Sequence, residues 1–137
     1  MSLHDDVSAV EIFQGLPSTI IDEIIARGTK MKVGAGRVLA QQGSTDSGLQ
    51  LILDGTVTVA VNGVERAQLG RGAYFGEISL IDGAPRSATV TAGADGAQVF
   101  AISPIAFSDL LDARPEIARP LLKVLAAHIR RAEAPTD

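Results

Sequence analysis

The chain has 137 residues, 46% hydrophobic and 20% charged, with 12 Lys and Arg against 16 Asp and Glu for a net charge of −4. That length suits one domain, that apolar content fills a core and excludes a disordered chain, and the acidic balance argues against an electrostatic footprint for duplex DNA or anionic lipid. With no Cys, no Trp and only His4 and His128 as histidines, a disulfide framework, a thiolate or His-based metal site, a Cys or Ser-His-Asp nucleophile and the stacking platforms of single-strand binders all fall away.

Met1 to Asp6 is polar and acidic with no apolar run behind it, so it reads as neither signal peptide nor membrane span, and a cytoplasmic protein is the expectation. From Ser8 to Arg27, Val10, Phe13, Leu16, Ile20, Ile21, Ile24 and Ile25 recur at helical spacing. Gly15 and Pro17 interrupt that run, which predicts two short helices ending at Gly28. Between Lys30 and Ile102 the pattern becomes alternation, as in Val57, Val59 and Val61, broken by glycines that include Gly36, Gly43, Gly55 and Gly72. Short strands with tight turns predict an antiparallel β-roll, and Asn62-Gly63 marks a two-residue hairpin. Helical spacing returns at Ile105 to Asp112, after Ser103-Pro104, and again from Pro115 to about Glu133. Pro120, inside the last segment, predicts a lost backbone hydrogen bond and a bend. The expectation is one domain over 1–137: helices in 8–28, a jelly-roll-like β-roll over 30–102, and two C-terminal helices in 104–133.

One segment interrupts the β pattern. Phe75-Gly76 ends a strand, and Glu77 to Ile81 leave room for about one and a half turns of helix before Gly83 and Pro85 break it. The unpaired N–H groups of a helix start, beside a glycine that admits close approach, form an anion site for which phosphate is a common occupant. Arg86 can fold back to the same space and grip two phosphate oxygens through its planar fork. Glu77 would repel phosphate and is better placed to accept a hydrogen bond from a sugar hydroxyl. Together they specify a nucleotide with one compact phosphate.

The run Phe75-Gly76-Glu77 through Pro85-Arg86-Ser87-Ala88-Thr89-Val90 resembles the phosphate-binding cassette, at 75–90, of the cyclic nucleotide-binding domain family. That family is shared by bacterial cAMP-dependent regulators, protein kinase A regulatory subunits and cyclic-nucleotide-gated channels, and the likeness extends from about Val10 to Glu133. The resemblance implies that Glu77 and the Gly76 backbone hold the ribose 2′-hydroxyl, while Arg86 and the N–H groups of Ser79 and Ser87 hold the cyclic phosphate. It also implies that the purine lies against Val59, beneath a lid from the last helix to which Arg130 or Arg131 contributes. Ser87 leaves the choice between cAMP and cGMP open, with cAMP favoured.

The functional expectation is a cyclic nucleotide sensor without catalysis or cofactor, which moves its C-terminal helices to signal to an output domain or partner, and which can form a homodimer. No direct nucleic-acid binding and no membrane span are expected of this chain, which is either a free-standing receiver or the sensor portion of a larger protein. The alternative is a β-roll that has lost ligand binding and serves oligomerisation or docking. A cupin-type metal enzyme needs converging histidines or carboxylates that the sequence does not supply.

Overall fold

A computed structural model of the chain describes residues 2–44, 48–76 and 84–133. The acidic leader, which stands ahead of the helices expected in 8–28, forms helix α1 (Leu3–Ala9). Ser2 caps it: its hydroxyl accepts from the Asp5 N–H at 3.1 Å, and the Asp5 carboxylate accepts from the Ser2 N–H at 3.4 Å. This reciprocal box satisfies two N–H groups that a helix start leaves without partners. The first helix therefore ends earlier than the Ser8–Gly15 reading placed it, because Val10 is extended at φ −70°, ψ 142°. A 3-10 turn over Glu11–Phe13 then buries Ile12 and Phe13, and helix α2 (Ser18–Arg27) follows Pro17 and buries Ile20, Ile21 and Ile24.

Six antiparallel strands come next: β1 (Thr29–Val33), β2 (Val38–Ala40), β3 (Leu49–Val61), β4 (Val64–Leu69), β5 (Tyr74–Phe75) and β6 (Thr89–Ile102). They form one sheet in the order β1-β6-β3-β4, with β2 also on β6 and β5 also on β3. The expected hairpin is present, with Val61 opposite Val64 and with Asn62 and Gly63 at φ 53° and 80°, the paired positive values of a type I′ turn. Strand length differs from expectation. β3 and β6 are 13 and 14 residues long, because Gly55 bends a strand that it was expected to end, and Gly96 bends the strand beside it. Both have positive φ, 80° and 72°, and a Cβ on Gly55 would overlap the Gly96 carbonyl oxygen. Only two glycines let the long strands bend at the same level, and the register between them shifts there.

The two faces of the sheet carry two apolar clusters. On one side Leu49, Leu51, Leu53, Phe100 and Ile102 pack under the helices with Ile12, Phe13, Phe107 and Ile117. On the other, Ile52, Val57, Phe75, Val90, Ala92 and Val99 fill the roll. The first half of β3 is covered on both faces, which explains its nearly continuous apolar run.

Helix α3 (Pro104–Ala113) starts as predicted, with Pro104 in its first turn and the Ser103 hydroxyl accepting from the Ala106 N–H at 3.2 Å. A 3-10 turn over Pro115–Ile117 leads directly into helix α4 (Ala118–Glu133). The expected bend at Pro120 loses its cause: Pro120 stands in the first turn of α4, where an N–H has no intrahelical partner to lose. The cassette helix expected over Glu77 to Ile81 lies outside the described residues.

Candidate functional site

A cleft opens between β2, β3, β4, β5 and β6 and the segment that carries Arg86. Its polar centre is Arg86, held first through its backbone: the Arg86 N–H donates to Ser44 O, and its carbonyl accepts from the Gly43 N–H, both at 2.9 Å. The same loop is secured at Gln42, whose N–H donates to Thr89 Oγ1 at 3.0 Å. The Gln42 side chain exchanges two bonds of 2.8 Å with Asn62 of the hairpin. The Arg86 main chain is thus laced to the β2–β3 loop, and that loop to the β3–β4 turn.

The side chain of Arg86 is buried, at 8% exposure, an uncommon place for a cation and one that requires partners. Gly76 makes room for it. At φ +92°, Gly76 follows β5 in a conformation that side chains disfavour, and a Cβ there would overlap both the Gly48 carbonyl oxygen and Arg86 Nη1. Guanidinium, glycine and carbonyl therefore share one tight space at the end of β3 and β5.

Around them lies a cleft of about 300 Å³, at the small end of ligand pockets and suited to one small organic molecule. Its floor is apolar. Val59 stands opposite Ala67 on β4 and Val90 on β6, and Val57 opposite Leu69. Val59, Ala67, Leu69 and Val90 line the cleft with Ala40 and Tyr74, while Gly76, Arg86 and Ser87 form its polar side. A flat apolar wall facing a buried guanidinium accommodates a ligand with an aromatic end and an anionic end.

Of the predicted site residues, the structure brings Gly76, Arg86, Ser87 and Val59 to this one cleft. Glu77 and Ser79 lie outside the described residues. Arg130 and Arg131 sit exposed in the last turn of α4 and are not among the residues lining the cleft. Sequence reasoning missed Ala40, Ala67, Leu69, Tyr74 and Val90. A signal for Ala67 and Leu69 exists, since their i, i+2 spacing follows the hairpin and places them on one face across from Val59 and Val57.

Two ion pairs away from the cleft shift titrations. Glu23 is held below the usual carboxylate value, chiefly by its hydrogen bonds from Arg114, which donates Nε–H and Nη2–H to the two carboxylate oxygens at 2.8 Å each. Arg71 is raised beside Asp6. The fold also gathers Ser18, His4 and Asp22, with His4 Nε2 3.0 Å from Ser18 Oγ and 3.4 Å from Asp22 Oδ1. Hydroxyl and carboxylate compete for the same ring nitrogen, so the trio ties α1 to α2 and lacks the two-nitrogen relay of a hydrolase. Among the described residues, no three His, Cys, Asp or Glu side chains gather as a metal site, and no helix is long and apolar enough to cross a membrane.

Comparison with known proteins agrees with this geometry. The family model for the cyclic nucleotide-binding domain matches residues 30–114. A cyclic nucleotide-gated potassium channel of Rhizobium etli is 37% identical over 117 residues, covering 85% of this chain and 32% of the channel. One from Mesorhizobium japonicum is 39% identical over 113 residues, 82% of this chain and 31% of that channel. The chain thus spans about a third of the length of these relatives. Among solved structures, the catabolite activator protein of Thermus thermophilus superposes with a TM-score of 0.80 at 29% identity, covering 90% of this chain and 60% of that one. The N-terminal domain of a transcriptional regulator from Streptomyces coelicolor superposes at 0.81 and 25% identity, covering 94% and 93%. The chain belongs to the cyclic nucleotide-binding domain family.

Proposed function

We propose that this chain is a regulatory sensor that binds cAMP in preference to cGMP in the Arg86 cleft and transmits occupancy through its C-terminal helices, with no catalysis of its own. The observation that carries the reading is the buried Arg86 guanidinium facing an apolar wall across a cleft of about 300 Å³. Arg86 grips the cyclic phosphate by charge-assisted hydrogen bonds, aided by the Ser79 and Ser87 N–H groups. The sugar falls to Glu77 and the Gly76 backbone, and the purine rests on Val59, Ala67 and Leu69. Ser87 is the polar side chain nearest to discriminating the base. An otherwise apolar wall favours adenine, because guanine brings more polar edge groups that would be left unpaired.

Transmission has a physical route. Tyr74 lines the cleft and donates from its hydroxyl to Glu11 Oε2 at 3.4 Å. Glu11 begins the 3-10 turn over Glu11–Phe13, against which α4 packs. A ligand that shifts Tyr74 alters the surface on which α4 rests, so binding and helix position are linked through two states.

Isothermal titration of the purified chain with cAMP and then cGMP tests the reading. One saturable site per chain, tighter for cAMP, is the expected result. No heat from either nucleotide, together with a melting temperature indifferent to both, would reject it, because a ligand that binds only the native state must stabilise that state.

A further inference from the structure

The two sides of the cleft belong to different parts of the chain. The apolar wall is carried by the β3–β4 hairpin, through Val59, Ala67 and Leu69, and the polar side by the segment that holds Arg86. A ligand that uses both sides is bound well only when the two are held at one separation. The hairpin is the less supported of them. β4 lies at the sheet edge, and among the described residues it pairs with β3 alone. The pairing of β3 with β6 reaches Ala60, opposite Thr89, and stops there. The end of the hairpin is therefore a two-stranded ribbon, a form that is marginal without further support.

Gln42 supplies that support. It is half-buried in the β2–β3 loop, two residues after Ala40 of the cleft and one before Gly43, whose N–H donates to the Arg86 carbonyl at 2.9 Å. Its own N–H donates to Thr89 Oγ1 at 3.0 Å, where β6 meets the end of the hairpin. Its side chain engages Asn62 twice: Nε2 donates to Asn62 Oδ1, and Oε1 accepts from the Asn62 N–H, both at 2.8 Å. A two-residue hairpin leaves the N–H of its first turn residue pointing away from the ladder, so Gln42 takes up a donor that the turn itself cannot use. The pairing also fixes which way round each amide sits, since each oxygen faces a donor.

We propose that Gln42 is a positioning residue for ligand binding: its clasp on Asn62 holds the wall-bearing hairpin at a set separation from Arg86, so that wall and guanidinium are in register before the nucleotide arrives. This rests on the reading of the cleft as the nucleotide site with Arg86 on the phosphate. Without the clasp, the hairpin occupies the binding position for part of the time, and apparent affinity falls by that fraction.

Gln42→Met keeps the length of the side chain and the N–H to Thr89 but removes both bonds to Asn62. Asn62→Gly keeps the left-handed turn and removes one of them, whereas Asn62→Asp keeps both the turn and the acceptor. Affinity for cAMP, by titration of the folded proteins well below their melting temperatures, should fall about five- to tenfold in Gln42→Met and about threefold in Asn62→Gly, while the conservative Asn62→Asp should retain it to within about twofold. The double variant Gln42→Met/Asn62→Gly should fall no further than Gln42→Met, because the same clasp is broken in both. A Gln42→Met protein that melts earlier yet binds as wild type would reduce the clasp to a structural tie. Equal losses in Asn62→Gly and Asn62→Asp, or additive losses in the double variant, would also overturn the assignment. A crystal structure of the wild-type chain with cAMP gives an answer that does not depend on variant folding: both bonds intact beside the bound nucleotide support the role, and a complex with the clasp open refutes it. Failure of the wild-type chain to bind any cyclic nucleotide would instead refute the parent reading, and the role of Gln42 with it.

Discussion

Gly76→Ala tests the geometry of the site most directly, because the structure provides its own control. Gly72 and Gly76 have nearly the same backbone φ, at 89° and 92°. A Cβ on Gly72 meets nothing within 4 Å, whereas one on Gly76 overlaps the Gly48 carbonyl and Arg86 Nη1. Alanine in this left-handed region costs about 1–2 kcal/mol at either position. At Gly76 the overlap adds about 1–3 kcal/mol, since the guanidinium can swing aside but the Gly48 backbone must shift. The difference between the variants therefore isolates contact from strain. At roughly 3–5 °C per kcal/mol for a domain of this size, Gly72→Ala should lower the melting temperature by about 3–10 °C and Gly76→Ala by about 6–25 °C. Calorimetry measures that gap, and titration measures its functional counterpart. Gly72→Ala should keep cAMP affinity within about twofold, while Gly76→Ala, by displacing Nη1, should lose tenfold or more, an energy of about 1.4 kcal/mol. Equal melting losses, or a Gly76→Ala protein of unchanged affinity, would refute the shared space of glycine and guanidinium.

Further predictions concern the ligand and the scaffold. Arg86→Ala should weaken cAMP binding at least tenfold by titration, since it removes a charge-assisted fork worth about 1.5–3 kcal/mol; unchanged affinity would contradict the phosphate role. Glu77→Ala should weaken cAMP more than its 2′-deoxy analogue, and equal losses would remove Glu77 from the ribose. Ser103→Ala deletes the cap of α3 and should cost about 1 kcal/mol, read as a lower midpoint in urea. Glu23→Gln should lower the melting temperature at pH 7. Because the folded-state pKa of Glu23 is depressed below 4.5 by Arg114, its contribution is present above that value and is lost as pH falls through the folded pKa. The variant and wild type should converge in acid, and a gap that persists there would exclude the pair as its cause.

The parts of this fold that are legible in the sequence are those encoded by neighbours. Asn62-Gly63 supplies both positive φ values of its turn, and Ser103-Pro104 carries a cap and a first-turn proline side by side. The cap of α1 is equally local, with Ser2 and Asp5 three residues apart, but the polar composition of the leader obscures it. Pro120 misleads because its effect depends on where α4 begins, and that start is set by the 3-10 turn that leads into it. Gly55 and Gly96 are far apart in the chain, and only their meeting across β3 and β6 reveals a bend where each alone suggests a strand end. The site divides in the same way. Gly76 and Arg86 belong to one contiguous pattern, while Ala40, Ala67, Leu69 and Val90 reach the cleft through strand register.

The paired glycines also have a consequence for redesign. They act as a crease, with the ligand wall of Val59, Ala67, Leu69 and Val90 on one side and the helix-bearing stretch of Leu49, Leu51, Phe100 and Ile102 on the other. Side chains more than about 7–10 Å apart with no shared partners contribute independently to stability. The wall can then be recarved for a bulkier or differently functionalised base while the helical side supplies reserve stability through its own substitutions. Adjacent residues pack one into each cluster at Tyr74-Phe75 of β5, as they do at Leu51-Ile52 of β3 and Val99-Phe100 of β6. These pairs stitch the two clusters together, and a change to any of them should be felt in both.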